Sequence, residues 1–253
     1  MKLVYLGTPD IAVPPLRALA DAGHEIVLVV TRADKRRGRG GSVTPSPVKA
    51  AALELGLPVS HSVDDVLDAV RDDGAELGVV VAFGQIVKPH VLDRIRMVNL
   101  HFSLLPRWRG AAPVERALLA GDPVTGVCVM ALEEGLDTGG VYARRDVPIG
   151  AETTAAELRS ELVDVGTSLL VDTLDRPLDA WIDHPEPQVG DITYASKFAS
   201  ADFEIDWSLP AVDVHRLIRV GGAWTTFRGK RLKINEARLV DGRVVPVTVQ
   251  PEG

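Results

Sequence analysis

Apolar runs rich in β-branched residues alternate with helical stretches in the N-terminal part of the chain, and this alternation constrains the fold most strongly. Residues 3–6, 26–30 and 77–82 have the composition of buried parallel strands. Residues 11–22 carry apolar side chains at helical spacing between the first two runs. Because a strand, a helix and a parallel strand connect as a right-handed unit, we predict an α/β fold with a doubly wound, mostly parallel sheet.

Cysteine content and hydropathy exclude several classes of protein. The single cysteine, Cys128, has no partner for an internal disulfide and lies in an apolar run, where a packed, unreactive thiol is expected. No apolar run approaches the length of a membrane span. The chain opens with a strand-like run instead of a signal peptide. We therefore expect a cytoplasmic protein that binds no membrane.

Charge is distributed unevenly along the chain. The formal net charge of -7 argues against a generic nucleic-acid binder, although an acidic body can carry a local basic site because distant charges are screened. Residues 32–46 form such a basic, glycine-rich stretch. Taken alone, it is typical of a solvated surface loop.

The turn after the first strand is not a phosphate-binding motif. Residues 7–10 read Gly-Thr-Pro-Asp, which has neither the dinucleotide-binding spacing of glycines nor the P-loop pattern. We therefore expect Thr8 or Asp10 to cap the first helix.

Residues 97–110 place polar side chains at the end of another apolar strand. Asn99 and His101 flank Leu100, so they project from the same face of the strand. Pro106 prevents the strand or a helix from continuing. Open α/β sheets bind ligands at the carboxyl ends of their strands. From these residues alone, a buried histidine hydrogen-bonded to a neighbouring asparagine is an equally good interpretation.

The same segment resembles a known family. Asn99-x-His101-x-Ser-Leu-Leu-Pro106, followed by Arg-Trp-Arg-Gly-Ala-Ala-Pro, closely resembles the methionyl-tRNA formyltransferase family, which belongs to the 10-formyltetrahydrofolate-dependent formyltransferases. The other matching motifs are Gly-Thr-Pro-Asp at 7–10, Gly-Arg-Gly at 38–40, Thr-Pro-Ser-Pro-Val-Lys at 44–49, Glu-Gly-Leu-Asp-Thr-Gly at 134–139, Tyr-Ala-x-Lys at 194–197 and Asp-Trp-Ser at 206–208. They are ordered and spread over most of the chain.

The resemblance implies a Rossmann-like catalytic domain followed by a small OB-like β module. We place the catalytic domain at residues 1–174, a linker at 175–205 and a shortened C-terminal module at 206–253. Several strands' worth of sequence is missing between residues 240 and 244, so we do not expect a complete five-stranded barrel.

The resemblance also implies the reaction, which is transfer of a formyl group from 10-formyltetrahydrofolate to the amino group of initiator methionyl-tRNA. The implied catalytic set is Asn99, His101 and Asp137. An imidazole moves protons near neutral pH, a carboxylate orients it, and an amide donates to an oxyanion. Without the resemblance, Asp137 before Thr-Gly is more typical of a turn former. No serine-nucleophile elbow and no metal-ligand spacing of the six histidines occur, so we expect neither covalent catalysis nor a metal.

Binding residues follow from the same comparison of motifs. For 10-formyltetrahydrofolate we predict Phe83, Gly84, Gln85, Ile86, Ser103, Leu104, Leu105 and Pro106. For the tRNA we predict Arg36, Arg37, Arg39 and Lys49. The guanidinium groups of the three arginines suit bidentate phosphate contacts and stacking on bases. We expect the protein to act as a monomer.

Two alternatives remain open at this point. An amino-sugar N-formyltransferase would use the same chemistry on a nucleotide-linked sugar, and the abbreviated C-terminal segment and acidic charge agree with it. A non-enzymatic RNA-binding module would use only the basic loop and the OB-like remnant. The complete Asn, His and Asp set argues against the second alternative, because binding alone does not need these groups.

Overall fold

The computed structural model describes residues 1–37 and 42–252. The strands, in chain order, are β1 (Lys2–Gly7), β2 (Glu25–Val30), β3 (Lys35–Arg37), β4 (Ser42–Thr44), β5 (Val59–Ser60), β6 (Leu77–Val81), β7 (Met97–His101), β8 (Arg109–Gly110), β9 (Val124–Ala131), β10 (Val141–Pro148), β11 (Tyr194–Ala195), β12 (Trp224–Phe227), β13 (Lys230–Val240) and β14 (Arg243–Pro251).

The α-helices are α1 (Val13–Asp21), α2 (Pro47–Glu54), α3 (Val66–Asp68), α4 (Pro89–Leu92), α5 (Pro113–Ala120), α6 (Ala155–Leu174) and α7 (Ala211–Val220). Short 3₁₀ turns lie at Asp10–Ala12, Val63–Asp65, Leu178–Ala180 and Ser200–Phe203, and a π turn at Ala69–Asp73 follows α3. In the described ranges, no helix is long and apolar enough to span a membrane.

A seven-stranded sheet forms the centre of the molecule, in the order β10-β9-β7-β6-β1-β2-β5. The five strands from β7 to β5 are parallel to one another, whereas β9 is antiparallel to β7 and β10 is antiparallel to β9. The predicted Rossmann-like, mostly parallel sheet is confirmed. Antiparallel strands need no crossover helix, so residues 132–140 connect β9 directly to β10 and place Asp137 beside the end of β7.

Alternate side chains of the central strands pack into two separate cores, as a doubly wound sheet requires. Leu3 and Tyr5 of β1 belong to the larger core, which α1, α2 and α6 cover. Val4 and Leu6 belong to the second core, together with Val66 of α3. Because both faces of β1 are covered, its sequence is an unbroken apolar run.

A side chain caps the N-terminus of α6 but not that of α1. Thr154 caps α6 in a capping box, in which the Thr154 hydroxyl accepts from the Glu157 amide at 3.3 Å and the Glu157 carboxylate accepts from the Thr154 amide at 2.9 Å. The predicted cap of the first helix by Thr8 or Asp10 is wrong, because a 3₁₀ turn precedes α1 and no side chain caps either element. The Thr8 hydroxyl instead donates to the carbonyl of Phe83 at 3.2 Å.

The C-terminal segment is a three-stranded antiparallel sheet, β12-β13-β14, covered by α7. As predicted for this module, the strands described there do not make up a complete five-stranded barrel. Arg219 of α7 donates to the carbonyl of Thr153 at 2.9 Å, which ties the module to the start of α6. The segment predicted as a linker is also in contact with the larger part, since β11 pairs with β8 and Trp181 is buried in the larger core. The domain boundaries themselves stay a prediction.

Candidate active site

Asn99 and His101 lie at the carboxyl end of β7, in the middle of the central sheet. Asn99 pairs with Val80 of β6 on one side and with Met130 of β9 on the other. His101 pairs with Cys128 and is 5% exposed. Neighbouring strands on both sides therefore fix the backbone of Asn99, and β9 fixes that of His101.

The imidazole of His101 has a defined partner on each nitrogen. Its Nε2 lies 3.0 Å from the carbonyl oxygen of Trp108, and its Nδ1 lies 3.7 Å from Oδ2 of Asp137. The second distance is too long for a direct hydrogen bond but fits an ion pair or a bridging water.

Asp137 is held from two directions. Its Oδ2 accepts from the amide of Gly110 at 2.7 Å. The side chain of Gln188 donates to the carbonyls of Asp137 and Gly139, both at 2.8 Å, and Arg109 donates to the Gln188 oxygen at 3.0 and 2.6 Å. These bonds stabilise the left-handed backbone of Asp137, whose φ is +51°.

A cleft of about 440 Å³ opens over these residues, and Asn99, His101 and Asp137 all line it. Its apolar lining consists mainly of Ile11, Val80, Phe83, Val87, Leu132 and Leu136, and its charged lining of Glu115, Glu133, Glu134, Arg159 and Lys197. An apolar cleft with a few convergent polar groups is the usual form of a small-molecule site.

The predicted donor-binding residues divide into two groups. Phe83, Gly84, Gln85 and Ile86 all line the cleft. The segment 103–106 does not contribute to its lining. Burial explains the difference, since the Ser103 hydroxyl donates to the carbonyl of Arg107 at 2.6 Å and the Leu105 side chain packs in a small core beneath β9.

The other two residues of that segment are likewise engaged away from the cleft. Leu104 lies against Gly126 of β9, where an added Cβ would collide with its side chain. The carbonyl of Pro106 accepts from the Thr193 amide at 3.4 Å. Ser103, Leu104, Leu105 and Pro106 therefore build the turn that leads to Trp108 and lie outside the cleft lining, so their contact with the donor stays a prediction.

Of the predicted tRNA-binding residues, Arg36 and Arg37 belong to β3, which pairs with β4 in a hairpin, and Lys49 belongs to α2. Lys49 lies outside the cleft lining. Its Nζ forms an ion pair with Oδ2 of Asp34 at 2.7 Å and lies 3.5 Å from Nε2 of His61. Arg39 lies outside the described residues, and so do the side chains of Arg36 and Arg37.

Comparisons with known proteins decide the family. Residues 1–174 match the formyl transferase family model, and residues 197–246 match the model of the formyl transferase C-terminal domain. The chain belongs to the formyl transferase family. Its similarity extends to the methionyl-tRNA formyltransferase of Roseobacter denitrificans, which is 48% identical over 99% of this chain and 85% of the relative. The methionyl-tRNA formyltransferase of Heliobacterium modesticaldum is 47% identical over 94% of this chain and 78% of the relative.

Solved structures share the fold of this formyl transferase at lower identity. The methionyl-tRNA formyltransferase from Clostridium thermocellum superimposes with a TM-score of 0.64 at 15% identity, over 100% of this chain and 99% of that one. The N-formyltransferase from Helicobacter canadensis, in complex with folinic acid and dTDP-3-aminofucose, superimposes with a TM-score of 0.74 at 20% identity, over 95% of this chain and 88% of that one.

Several residues of the formyl transferase site escape analysis of the sequence alone. Gln188 holds the Asp137 loop from a proline-containing segment without periodicity, so no pattern signals it. Glu115 and Arg159 form an ion pair in the wall of the cleft, although they come from α5 and α6. Lys197 also lines the cleft; the Tyr-Ala-x-Lys motif at 194–197 contains it, but the motif alone does not assign it to the site.

Two further groups near the site have shifted proton affinities. Burial raises the pKa of the Cys128 thiol above its ordinary value, which agrees with the predicted unreactive cysteine. Burial also acts to raise the pKa of the Asp122 carboxyl, but hydrogen bonds from Arg107 and Trp108 outweigh it and hold that pKa below its ordinary value. Among the described residues, no group of three or more histidine, cysteine or acidic side chains is placed to hold a metal ion.

Proposed function

We propose that this formyl transferase moves the formyl group of 10-formyltetrahydrofolate to the α-amino group of initiator methionyl-tRNA. The convergence of Asn99, His101 and Asp137 in one cleft is the observation that carries the proposal. The acceptor is inferred from the relatives named methionyl-tRNA formyltransferase, which are 48% and 47% identical over nearly the whole chain.

The cleft suits a folate-type formyl donor. Its volume of about 440 Å³ lies within the roughly 300–1,000 Å³ of small-molecule sites. Phe83, Val87 and Leu132 offer apolar surface to a flat ring system, and residues 84–86 bring backbone groups that can hydrogen-bond to its polar edge. We assign Phe83, Gly84, Gln85 and Ile86 to the donor directly, and Ser103, Leu104, Leu105 and Pro106 to the support of the turn beneath it.

The three polar groups divide the chemistry among them. The acceptor amine attacks the formyl carbon, so a new carbon–nitrogen bond forms while the bond to N10 of the folate breaks. The Asn99 amide donates to the oxyanion of the tetrahedral centre. The proton of the amine leaves through water to Asp137 and passes on to Nδ1 of His101. The resulting Nδ1–H supports the oxyanion and then supplies the proton that N10 takes up as it departs. No oxidation or reduction is involved.

The acceptor end of the tRNA is assigned to the basic hairpin of β3 and β4. Arg36, Arg37 and Arg39 supply cationic groups there, and Lys49 stands at the base of the hairpin beside Asp34. Electrostatic attraction of these residues to phosphates makes binding salt-dependent. That the protein acts as a monomer stays a prediction.

An acceptor competition tests the proposal. Formyl transfer from 10-formyltetrahydrofolate is measured with initiator methionyl-tRNA and, separately, with dTDP-3-aminofucose as an amino-sugar acceptor. We expect a far higher kcat/KM for the tRNA and a loss in kcat of about 10²- to 10⁴-fold in the His101→Ala variant. Preferential formylation of the sugar nucleotide would replace the proposed acceptor, and failure with both acceptors would refute the proposed reaction.

A further inference from the structure

The carbonyl of Trp108 fixes the state of the His101 ring. A carbonyl oxygen can only accept, so Nε2 of His101, at 3.0 Å, carries the hydrogen. Nδ1 is then the nitrogen that can gain and lose a proton, and it is the one that faces Asp137, 3.7 Å from Oδ2. The position of a single backbone carbonyl thus determines which ring nitrogen serves the reaction.

That carbonyl belongs to a backbone conformation that needs outside support. Trp108 has a φ of +63°, which a bulky residue adopts at a cost in free energy. Its amide donates to the Thr193 hydroxyl at 2.8 Å, and its indole Nε1 donates to Oδ2 of Asp122 at 2.8 Å. The second bond anchors the side chain of the strained residue.

Asp122 gathers three donors from this turn. In addition to the indole, its carboxylate accepts from Nε and Nη2 of Arg107 at 2.8 and 2.6 Å. The Arg107 guanidinium also stacks on the Trp108 ring, 4.5 Å from its centroid. The Asp122 side chain is only 12% exposed, so its carboxylate is largely shielded from solvent, whereas the Arg107 side chain is 45% exposed.

We propose that Asp122 is a positioning residue for formyl transfer. By holding Arg107 and Trp108, it keeps the Trp108 carbonyl on Nε2 of His101 and so sets the tautomer and orientation of the ring. Asp122 does not line the cleft and therefore acts through Trp108 instead of on a substrate. The inference rests on the proposed role of His101 in formyl transfer.

The tautomer provides a readout that a purely structural role would not move. In protein labelled with ¹⁵N at histidine, the signals of His101 are assigned by their loss in the His101→Gln variant. We expect the wild-type ring to be hydrogenated at Nε2 and Asp122→Ala to convert it to a mixture of both tautomers. Asp183→Asn is the matched control, because Asp183 accepts from Arg96 at 2.8 Å on an exposed surface away from the cleft. This control should leave the His101 signals unchanged.

Kinetics of the same variants give the second readout. A misplacement of about 1 Å can reduce a rate on the order of 100-fold, so we expect Asp122→Ala to lower kcat roughly 10- to 100-fold while KM for both substrates changes little. Asp122→Asn retains one acceptor oxygen and should fall between Asp122→Ala and the wild type. The Asp183→Asn control should keep the wild-type kcat.

A folded Asp122→Ala protein with wild-type His101 signals and wild-type kcat would overturn the proposal. If Asp122→Ala does not fold, Trp108→Phe tests the same link from Asp122 to His101. This substitution removes the indole N–H that donates to Asp122 and makes the ring smaller. We expect it to shift the tautomer in the same direction by a smaller amount, and unchanged signals with unchanged kcat would again overturn the proposal. Should the wild type transfer no formyl group while the tautomer still depends on Asp122, the proposed function would fail and the positioning role would lose its reaction.

Discussion

Asp137 shares one carboxylate oxygen between the backbone and His101. Oδ2 accepts from the Gly110 amide at 2.7 Å and lies 3.7 Å from Nδ1 of His101. The hydrogen bond from the Gly110 amide holds this oxygen away from the imidazole. The 3.7 Å separation leaves room for a water molecule to bridge the two groups. This geometry agrees with the proton-transfer role that we propose for the pair.

Removal of either member of this pair should abolish most of the turnover. General acid–base groups contribute about 10²- to 10⁴-fold, and we expect losses in kcat of that size for His101→Ala and for Asp137→Ala. Steady-state formyl transfer measures the loss, and circular dichroism checks that each variant is folded. Near-wild-type turnover by a folded variant would show that its residue is not catalytic.

Gln188 should affect the reaction without touching a substrate. Gln188→Ala removes the donor to the carbonyls of Asp137 and Gly139 and leaves Arg109 without its acceptor. Unsatisfied buried groups cost about 1–3 kcal/mol of stability each, and the freed Asp137 loop should lower kcat on the order of tenfold. Urea unfolding and kinetics measure the two effects, with the exposed Gln250→Ala as control. Lower stability with unchanged kcat would mean that Gln188 only braces the loop.

The parts of this site that lie close together in sequence were predictable. Alternation along a strand places Asn99 and His101 on one face, and the structure brings both to the cleft. Asp137 needed the family resemblance, because its motif alone is typical of a turn. Buried β-branched runs predicted the parallel strands for the physical reason that both faces of such strands are covered.

Partners that come from distant segments were not predictable. Gln188 contacts Asp137 across 51 positions of the chain, and Thr8 contacts Phe83 across 75. Local signals predicted a helix cap for Thr8, but the folded chain offered it a carbonyl of a neighbouring loop instead. The turn at 103–106 illustrates the same limit, since its sequence motif marks the site whereas burial beneath β9 decides that it supports the site and does not line it.

Acid should weaken the contribution of Asp122 to stability. Its hydrogen bonds hold the folded-state pKa below the ordinary value, so the stabilisation is fully present above the unfolded pKa of about 3.9 and is lost as the pH falls through the folded value. We expect the difference in unfolding free energy between wild type and Asp122→Asn to be constant from about pH 7 to pH 5 and to shrink below about pH 4. Urea titrations at several pH values measure it. A difference independent of pH down to the lowest value would contradict the assignment.

Cys128 should resist modification in the native protein. The thiol is fully buried on β9, and burial raises its pKa, so little thiolate is present near neutral pH. A chromogenic thiol reagent should therefore react only as fast as the protein unfolds, and rapidly in urea. Fast stoichiometric reaction under native conditions would show that this strand opens to solvent.

Substitution of Lys49 tests whether the basic hairpin of β3 and β4 binds the tRNA. Lys49 pairs with Asp34 at 2.7 Å, so it can either contact a phosphate of the tRNA or brace the base of the hairpin. If it neutralises one phosphate, Lys49→Met should raise KM for the tRNA and reduce the slope of log KM against log salt concentration by about 0.7 to 0.9. KM for the folate donor should not change.

Two variants separate the possibilities. Asp34→Asn removes the partner but keeps the cation, so a phosphate-binding Lys49 should still contact the tRNA and KM should stay the same or fall. Lys2→Met is the matched control, because Lys2 begins β1 at the opposite end of the sheet and should leave the tRNA kinetics unchanged. Kinetics at four salt concentrations decide between the roles. Equal increases in KM for Lys49→Met and Asp34→Asn, with an unchanged salt slope, would mean that the ion pair braces the hairpin and that the phosphate contacts come from its arginines.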